Sequence, residues 1–272
     1  MRPVGRGSHA VGVNQKERVT AAEALWVAER ERIPIDPLSL AHPDMDVDDA
    51  YQIQQINIDR RLGDGLTVRG HKVGLSSKAM QEMLGVNEPD FGHLLDDMFV
   101  FEDFDVDTSQ LCQPRVEIET AFILGSPLRA PGCNVADVLL STVYVVPAIE
   151  IIDSRIIDWK ITLADTIADN ASSARLVLGG KATPIAAVDL RSVAATLSIN
   201  GDLAASGTSA AVLGNPATAV AWLANKVHAY GVSLEGGHVI MPGSCTRAFD
   251  VTAGDSVRAD FDGLGAVSVN FT

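Results

Sequence analysis

The chain of 272 residues lacks the sequence features of nucleic-acid-binding proteins and of membrane proteins. It has no cluster of lysine and arginine, and its net charge is −14. Phosphate backbones are met by clustered basic side chains, so nucleic acid is not an expected partner. Its most apolar run, "LLSTVYVVPAIEII", is about 14 residues with an internal proline and glutamate, and a membrane helix needs about 20. A membrane is therefore not an expected partner either.

Cysteine is also scarce. The three cysteines, Cys112, Cys133 and Cys245, are odd in number, far apart and in no CxxC pattern. Neither a disulfide framework nor a structural zinc site is indicated, and a reducing cytoplasm is expected. The N-terminal stretch has no continuous apolar segment typical of a signal peptide, so we interpret residues 1–18 as a mobile leader.

Two amphipathic helices are predicted next, in a small helical region of residues 19–69. Thr20 is the expected cap of the first, "AAEALWVAERERI". Asp48 or Asp49 is the expected cap of the second, "AYQIQQINIDRRL", which stops at Gly63.

From about Leu66 the pattern changes to short β-branched runs separated by glycine, proline, asparagine and aspartate. A single further helix is predicted in "NPATAVAWLANKVHAYG", with Asn215 as its cap and Gly231 at its end. Because strands do not alternate regularly with helices, the pattern predicts an α+β protein with a β-rich domain over residues 70–272 and disfavours a doubly wound parallel sheet.

Three glutamates stand in or among apolar strand residues. In "QPRVEIETAF", Glu117 and Glu119 are two apart and therefore share one face of a strand. Glu150 lies within the apolar run "PAIEII", where an unpaired buried carboxylate would be costly. The three either form an oxygen-only cation site, which would select Mg²⁺ or Mn²⁺, or are a solvated strand face in which Arg115 pairs the acids.

Other polar residues also have two interpretations. Lys72, between glycines in "GHKVGLSS", either extends along a strand edge or is a partly buried cation that binds an anion or moves a proton. Asp90 in "NEPDFG" either caps a turn or directs a carboxylate into a cleft. Asn170 and Ser172 in "DTIADNASS" either close a turn or bind a carboxylate.

Four motifs in order give a specific resemblance: "GHKVGLSSKAMQEMLGVNEPDFGHLLDDM", "QPRVEIETAFIL", "VVPAIEIIDSRIIDW" and "DTIADNASS". Over roughly residues 20–272 the chain resembles the 2-hydroxypentadienoate hydratases and 4-oxalocrotonate decarboxylases of meta-cleavage pathways, within the fumarylacetoacetase-like superfamily. The resemblance implies a core of mixed sheets forming a roll or sandwich. It also implies a homo-oligomer, with contacts to neighbouring pathway enzymes.

The same resemblance assigns residues. It implies that Glu117, Glu119 and Glu150 bind Mg²⁺, with Mn²⁺ as an alternative. Lys72 and Asp90 are then the candidates for proton transfer and water activation. The residues expected to contact the small 2-hydroxy-dienoate or 2-oxo acid substrate are Leu75, Asn170 and Ser172.

Within the family, hydratases carry Asp before "FG", as Asp90 stands here, whereas decarboxylases carry an apolar residue. The expected activity is therefore that of a hydro-lyase adding water to 2-hydroxypenta-2,4-dienoate or a short alkyl homologue. A short loop after "DSR" favours this monocarboxylate, whereas "MPGSCTR" resembles hydratases of 2-oxohept-4-ene-1,7-dioate. That hydratase and 4-oxalocrotonate decarboxylase remain alternatives, and a non-enzymatic β-rich binding module is a distant one.

Overall fold

The computed structural model describes residues 12–78, 81–82 and 85–272. Its helices in this part of the chain are α1 (Gln15–Glu31), α2 (Leu38–Ala41), α3 (Val47–Gly63), α4 (Val135–Ser141), α5 (Leu163–Ala168) and α6 (Pro216–His228). Its strands are β1 (Val68–Gly74), β2 (Asp90–Leu95), β3 (Phe99–Val100), β4 (Asp105–Val106), β5 (Pro114–Leu124), β6 (Thr142–Asp153), β7 (Ser173–Leu178), β8 (Thr183–Pro184), β9 (Ala194–Ile199), β10 (Asp202–Thr208), β11 (Val239–Met241), β12 (Phe249–Asp250), β13 (Ser256–Phe261) and β14 (Gly265–Phe271).

The N-terminal helices begin earlier than the sequence pattern predicts. Asn14, not Thr20, caps α1, because its side chain accepts a hydrogen bond from the amide of Glu17 at 3.1 Å. Helix α1 therefore includes the last residues of the predicted leader, while residues 1–11 lie outside the described part. Asp46 caps α3 by accepting from the amide of Asp49 at 2.8 Å, so the prediction of Asp48 or Asp49 was wrong by two or three residues.

Within the described residues, the larger sheet is a mixed half-barrel of nine strands. Its main path runs β2-β1-β11-β5-β6-β7-β3, with β12 paired to β5 and β8 paired to β6. Strands β1 and β11 are parallel, whereas β5 and β6 form a long antiparallel pair at the centre. This architecture confirms the predicted α+β class and excludes the doubly wound arrangement.

The two faces of the half-barrel have different roles. On β5, Val116, Ile118 and Phe122 point outward into the main hydrophobic core, in which residues of α1, α3 and α6 also take part. The alternate residues point inward, where Ala121 joins a smaller apolar cluster with Leu94, Leu176 and Met241. Glu117 and Glu119 share this inward face with Ala121, because side chains alternate along a strand. The apolar cluster thus fills one end of the interior and leaves the other end to the acids.

A second sheet packs beside the first, with strand order β10-β9-β13-β14-β4. Helix α6 begins with the predicted cap, since Asn215 accepts from the amide of Ala217 at 3.0 Å. It ends at His228, three residues before Gly231. Strand β1 begins at Val68, two residues before the predicted start of the β-rich domain. In the described part of the chain, no helix is long and apolar enough to cross a membrane.

Candidate metal centre

The register of the central strand pair brings the three predicted glutamates together. Glu117 on β5 lies directly opposite Glu150 on β6, and Glu119 lies opposite Ala148. Each glutamate offers one carboxylate oxygen, and these oxygens lie within 4.8 Å of one another. Their exposed fractions are only 8%, 1% and 0% for Glu117, Glu119 and Glu150. The solvated-face interpretation of these acids is therefore wrong.

The protein itself satisfies these carboxylates only in part. Glu119 accepts a hydrogen bond from the amide of Gly243 at 2.7 Å, and Glu150 accepts a long one from the Ser173 hydroxyl at 3.5 Å. One oxygen of Glu119 and one of Glu150 are buried without a partner among the described residues. Buried polar atoms are nearly always paired, so these oxygens fit a bound cation.

The electrostatics of the site lead to the same conclusion. Burial, opposed by Lys72 and supported by the charge of Glu150, raises the pKa of Glu117 to about 7. Burial and the two neighbouring glutamates raise the pKa of Glu119 well above its ordinary value. A divalent cation would remove this repulsion. Because the donors are all carboxylate oxygens, the set suits Mg²⁺ or Mn²⁺ and not zinc or copper.

Lys72 belongs to this centre. It lies on β1 and is 3% exposed, and its Nζ donates to the backbone carbonyl of Ala171 at 3.0 Å. The same nitrogen is 3.5 Å from a carboxylate oxygen of Glu150. Burial opposes its charge, but the carboxylates of Glu150 and Glu117 outweigh this and raise the pKa of Lys72. Lys72 is thus a buried ammonium group beside the acids and not a side chain extended along a strand edge.

Asp90 also points into the site. It begins β2, pairs across the strands with Gly74 on β1, and is 1% exposed. Neither of its carboxylate oxygens accepts a hydrogen bond of normal geometry from the described residues, whereas the carboxylate of a capping aspartate would accept one from a backbone amide. Burial raises its pKa, against the opposing effects of Lys72 and the Thr166 hydroxyl. A carboxylate in this state can exchange a proton nearer neutral pH than an exposed aspartate can.

A cleft of about 510 Å³, its mouth included, joins these groups. Lys72, Asp90 and Glu117 line it, together with the predicted substrate residues Leu75 and Ser172. The Ser172 hydroxyl is buried and has no partner among the described residues, so it is available to a ligand. The cleft wall also contains residues that the sequence analysis did not single out: Ile152, Trp159, Ile161, Thr166 and Ser244.

The predicted substrate residue Asn170 lies differently. Its side-chain oxygen accepts from the amide of His93 at 2.7 Å, and its side-chain nitrogen donates to the carbonyl of His93 at 2.9 Å. It lines a neighbouring cavity and not this cleft. Its amide therefore ties two backbone segments together, and its predicted contact with substrate has no support in this geometry.

The segment that carries Asn170 is strained. Asn170, Ala171 and Ser172 have φ angles of 53°, 50° and 54°, all in the left-handed region. That conformation costs a non-glycine residue roughly 1–2 kcal/mol. The strained turn presents the Ala171 carbonyl to Lys72 and the Ser172 hydroxyl to the cleft. No side-chain pattern predicts the first of these contacts, because the acceptor is a backbone atom.

Comparison with known proteins identifies the family of this chain. A model of the family described as fumarylacetoacetate (FAA) hydrolase C-terminal matches residues 70–272. The chain belongs to this family. A 2-oxo-hept-4-ene-1,7-dioate hydratase of Escherichia coli is 42% identical to this chain over 256 residues. The match covers 92% of this chain and 96% of the relative. A 2-hydroxyhexa-2,4-dienoate hydratase of Comamonas testosteroni is 43% identical, covering 93% and 97%.

A solved relative supports both the fold and the metal. The 4-oxalocrotonate decarboxylase from Pseudomonas putida G7, complexed with magnesium and adipate, superimposes with a TM-score of 0.93 at 35% identity. The match covers 96% of this chain and 99% of that chain. The predicted fumarylacetoacetase-like fold is confirmed, and the carboxylate set described above agrees with a magnesium-dependent enzyme.

Proposed function

We propose that this enzyme is a metal-dependent hydro-lyase that adds water to 2-hydroxypenta-2,4-dienoate or a short alkyl homologue. The product from the parent compound is 4-hydroxy-2-oxopentanoate. The observation that carries the proposal is a cleft lined by Lys72, Asp90 and Glu117, where Glu117 belongs to the buried glutamate triad. Hydratases among the relatives support it at 42% and 43% identity. The metabolic setting is meta-cleavage degradation of aromatic or steroid compounds.

The chemistry needs a proton donor and a base. When bound by Glu117, Glu119 and Glu150, Mg²⁺ supplies Lewis-acid stabilisation of a 2-oxo acid and its enolate. The dienol takes up a proton at C5, loses the proton of its C2 hydroxyl, and becomes a conjugated 2-oxo-3-enoate. The oxygen of water then adds to C4 and a proton to C3, so one water is consumed. Lys72 and Asp90 are the groups placed to give and take these protons.

The cleft favours a substrate with an uncharged tail. Its apolar lining residues include Leu75, Ile152, Trp159 and Ile161. Among the described residues that line it, Lys72 is the only cation, and Glu150 and the Ala171 carbonyl already engage it. A second carboxylate on the substrate would be buried without a counter-charge, which is costly. This argues for a monocarboxylate over the heptenedioate named for the E. coli relative.

The test uses the purified enzyme with Mg²⁺ and 2-hydroxypenta-2,4-dienoate. We expect loss of the dienol absorbance and, by mass spectrometry, the gain of one water, both abolished by a chelator. Release of CO₂ from 4-oxalocrotonate without any hydration would show a decarboxylase instead. For the tail, 2-hydroxyhepta-2,4-dienoate is compared with 2-hydroxyhepta-2,4-diene-1,7-dioate. These differ only in the distal carboxylate, and we expect the higher kcat/KM for the monocarboxylate.

The assembly and its location are part of the same proposal. Leu140 is 85% exposed, and Leu139, Val143 and Tyr144 beside it are also exposed. Neighbouring apolar side chains on one surface favour a contact with another copy of the chain. We expect a homo-oligomer in size-exclusion chromatography with light scattering, and contacts with neighbouring pathway enzymes are tested by co-purification. The unpaired cysteines agree with a cytoplasmic enzyme.

A further inference from the structure

The strained turn Asn170–Ser172 must be held by contacts outside itself, since a left-handed run of ordinary residues is unfavourable. Two groups of this turn face the cleft. They are the Ala171 carbonyl, which accepts a hydrogen bond from the Lys72 ammonium at 3.0 Å, and the Ser172 hydroxyl, which has no partner among the described residues. The turn therefore determines where two groups of the cleft lie, although the metal ligands on β5 and β6 are not part of it.

Arg155 bridges the two ends of this turn. One terminal nitrogen of its guanidinium donates to the carbonyl of Asp169 at 2.6 Å, just before the turn. The other donates to the carbonyl of Ser173 at 3.2 Å, just after it. Its Nε donates to the carboxylate of Asp169, which also accepts from the Arg155 backbone amide at 3.0 Å. Arg155 is 5% exposed and Asp169 is 2% exposed, so the two side chains form a buried ion pair.

We propose that Arg155, through Asp169 and Ser173, is a positioning residue that holds the left-handed turn so that the Ala171 carbonyl orients Lys72 and the Ser172 hydroxyl faces the substrate. This inference rests on the proposed function for its catalytic consequence. Only a planar guanidinium can reach the Asp169 carboxylate and both carbonyls together, because an ammonium group lacks that forked arrangement of donors.

The test compares Arg155→Lys, Arg155→Ala and Asp169→Asn with a matched control, Arg175→Met. Arg175 lines the same neighbouring cavity but bonds only to the Ala174 carbonyl among the contacts described. We expect kcat to fall by about 10²-fold in Arg155→Lys, as for a misplaced catalytic group. The affinity for Mn²⁺, measured by calorimetry, should remain that of wild type. The guanidinium touches β6 only at the carbonyl of Asp153, at 2.6 Å, three residues after Glu150. Arg175→Met should keep wild-type kcat.

Chemical rescue separates positioning from general loss of structure. Arg155 lines a cavity beside the turn, and removal of its side chain would enlarge this cavity for a small cation. Guanidinium ion, at concentrations far below the denaturing range, should raise kcat in Arg155→Ala. Methylammonium at the same ionic strength should not. If Arg155→Ala fails to fold, Arg155→Lys decides, because it keeps a positive charge beside Asp169.

Several results would overturn the inference. These are a wild-type kcat in Arg155→Lys, an equal loss in Arg175→Met, or loss of Mn²⁺ affinity in parallel with kcat. Equal rescue by both cations of a folded Arg155→Ala would do the same. If the wild-type enzyme hydrates no dienol, the proposed function fails, but the holding of the turn remains testable by hydrogen exchange. Exchange should then rise in the peptide 165–176 of Arg155→Lys and stay unchanged over β5.

Discussion

Glu117 and Glu150 face each other directly across the antiparallel pair β5 and β6, at the centre of the half-barrel. Both are almost fully buried, and no arginine or lysine other than Lys72 is ion-paired with either of them in the described chain. Two buried like charges opposite each other are destabilising unless cations offset them, and Lys72 is ion-paired with Glu150 alone of the two. The proposed metal site can therefore be tested in two ways, by measuring Mg²⁺ binding and by measuring the stability of the metal-free protein.

Replacing Glu117 by Gln should remove Mg²⁺ binding and activity together while the fold survives. Because the pKa of Glu117 is raised to about 7, its ionisation destabilises the metal-free protein as pH rises from about 4.5 through about 7. The metal-free variant should therefore melt higher than wild type at pH 8. Calorimetry and thermal melts check this, with Glu235→Gln as an exposed control. Undiminished Mg²⁺ binding in Glu117→Gln would place the metal elsewhere.

Replacing Asp90 by Asn should lower the hydration rate by about 10²–10⁴-fold, as expected when a general acid or base is lost. Mg²⁺ binding should persist. Asp96→Asn is the control, because Asp96 is an exposed aspartate that accepts from the amides of Thr67 and Asp97. A near-normal rate in Asp90→Asn would end the catalytic role. Asp90→Ile should abolish hydration yet still allow Mg²⁺-dependent binding of 2-oxo acids.

Replacing Gly74 by Ala tests the placement of Asp90 without touching its chemistry. A β-carbon at Gly74 would lie 2.1 Å from Oδ1 of Asp90, so the carboxylate must move. We expect a clear loss of kcat with Mg²⁺ affinity retained. Gly63→Ala is the control, since a β-carbon there meets nothing within 4 Å. If Gly74→Ala has the kcat of wild type, the position of Asp90 is not critical.

Two buried histidines on the outer face of the larger sheet should make the stability of the fold sensitive to acid. His71 and His93 are cross-strand partners with ring centroids 4.9 Å apart, and both are buried. Burial lowers the pKa of His93 to about 4, and burial with the neighbouring histidines lowers that of His71 well below its ordinary value. Below about pH 6.5 the unfolded chain therefore binds more protons than the folded protein does. The free energy of unfolding falls as the pH is lowered from there towards about 4.

Urea unfolding at pH 7 and pH 5 measures this effect. His93→Gln should show a smaller loss of stability between the two pH values than wild type does. His228→Gln, at an exposed position on α6, should lose as much as wild type. An unchanged pH dependence in His93→Gln would mean that other groups control acid unfolding.

Much of the site was predictable because its signals are local. Glu117 and Glu119 share a face through the two-residue period of a strand, and Glu150 stands out as an acid in an apolar run. The motif order indicated the family, and it predicted Glu117, Glu119 and Glu150 as metal ligands without any knowledge of register. The cap and start of α6 were also predictable, since Asn215 and Pro216 act on their own neighbours.

Other features depend on contacts between distant segments. Asn170 resembles a substrate ligand in the motif, yet its amide is engaged with the backbone of His93, 77 residues earlier. Trp159 lines the cleft and donates to the Gln113 carbonyl at 3.1 Å, a contact with no signal in sequence spacing. The capping of α1 and α3 was misplaced because several asparagines, threonines and aspartates were equally suitable as caps.

The sequence by itself determined which side chains were available and which lay on a common strand face, since alternation along a strand follows from the covalent chain. Only the tertiary structure decided that Glu150 lies opposite Glu117, that Lys72 and Asp90 converge on them, and that the Ala171 carbonyl completes the contacts of Lys72. The reason is physical. Register and strand order result from packing the whole core, and one residue of slippage would turn the glutamates of β5 to the opposite face.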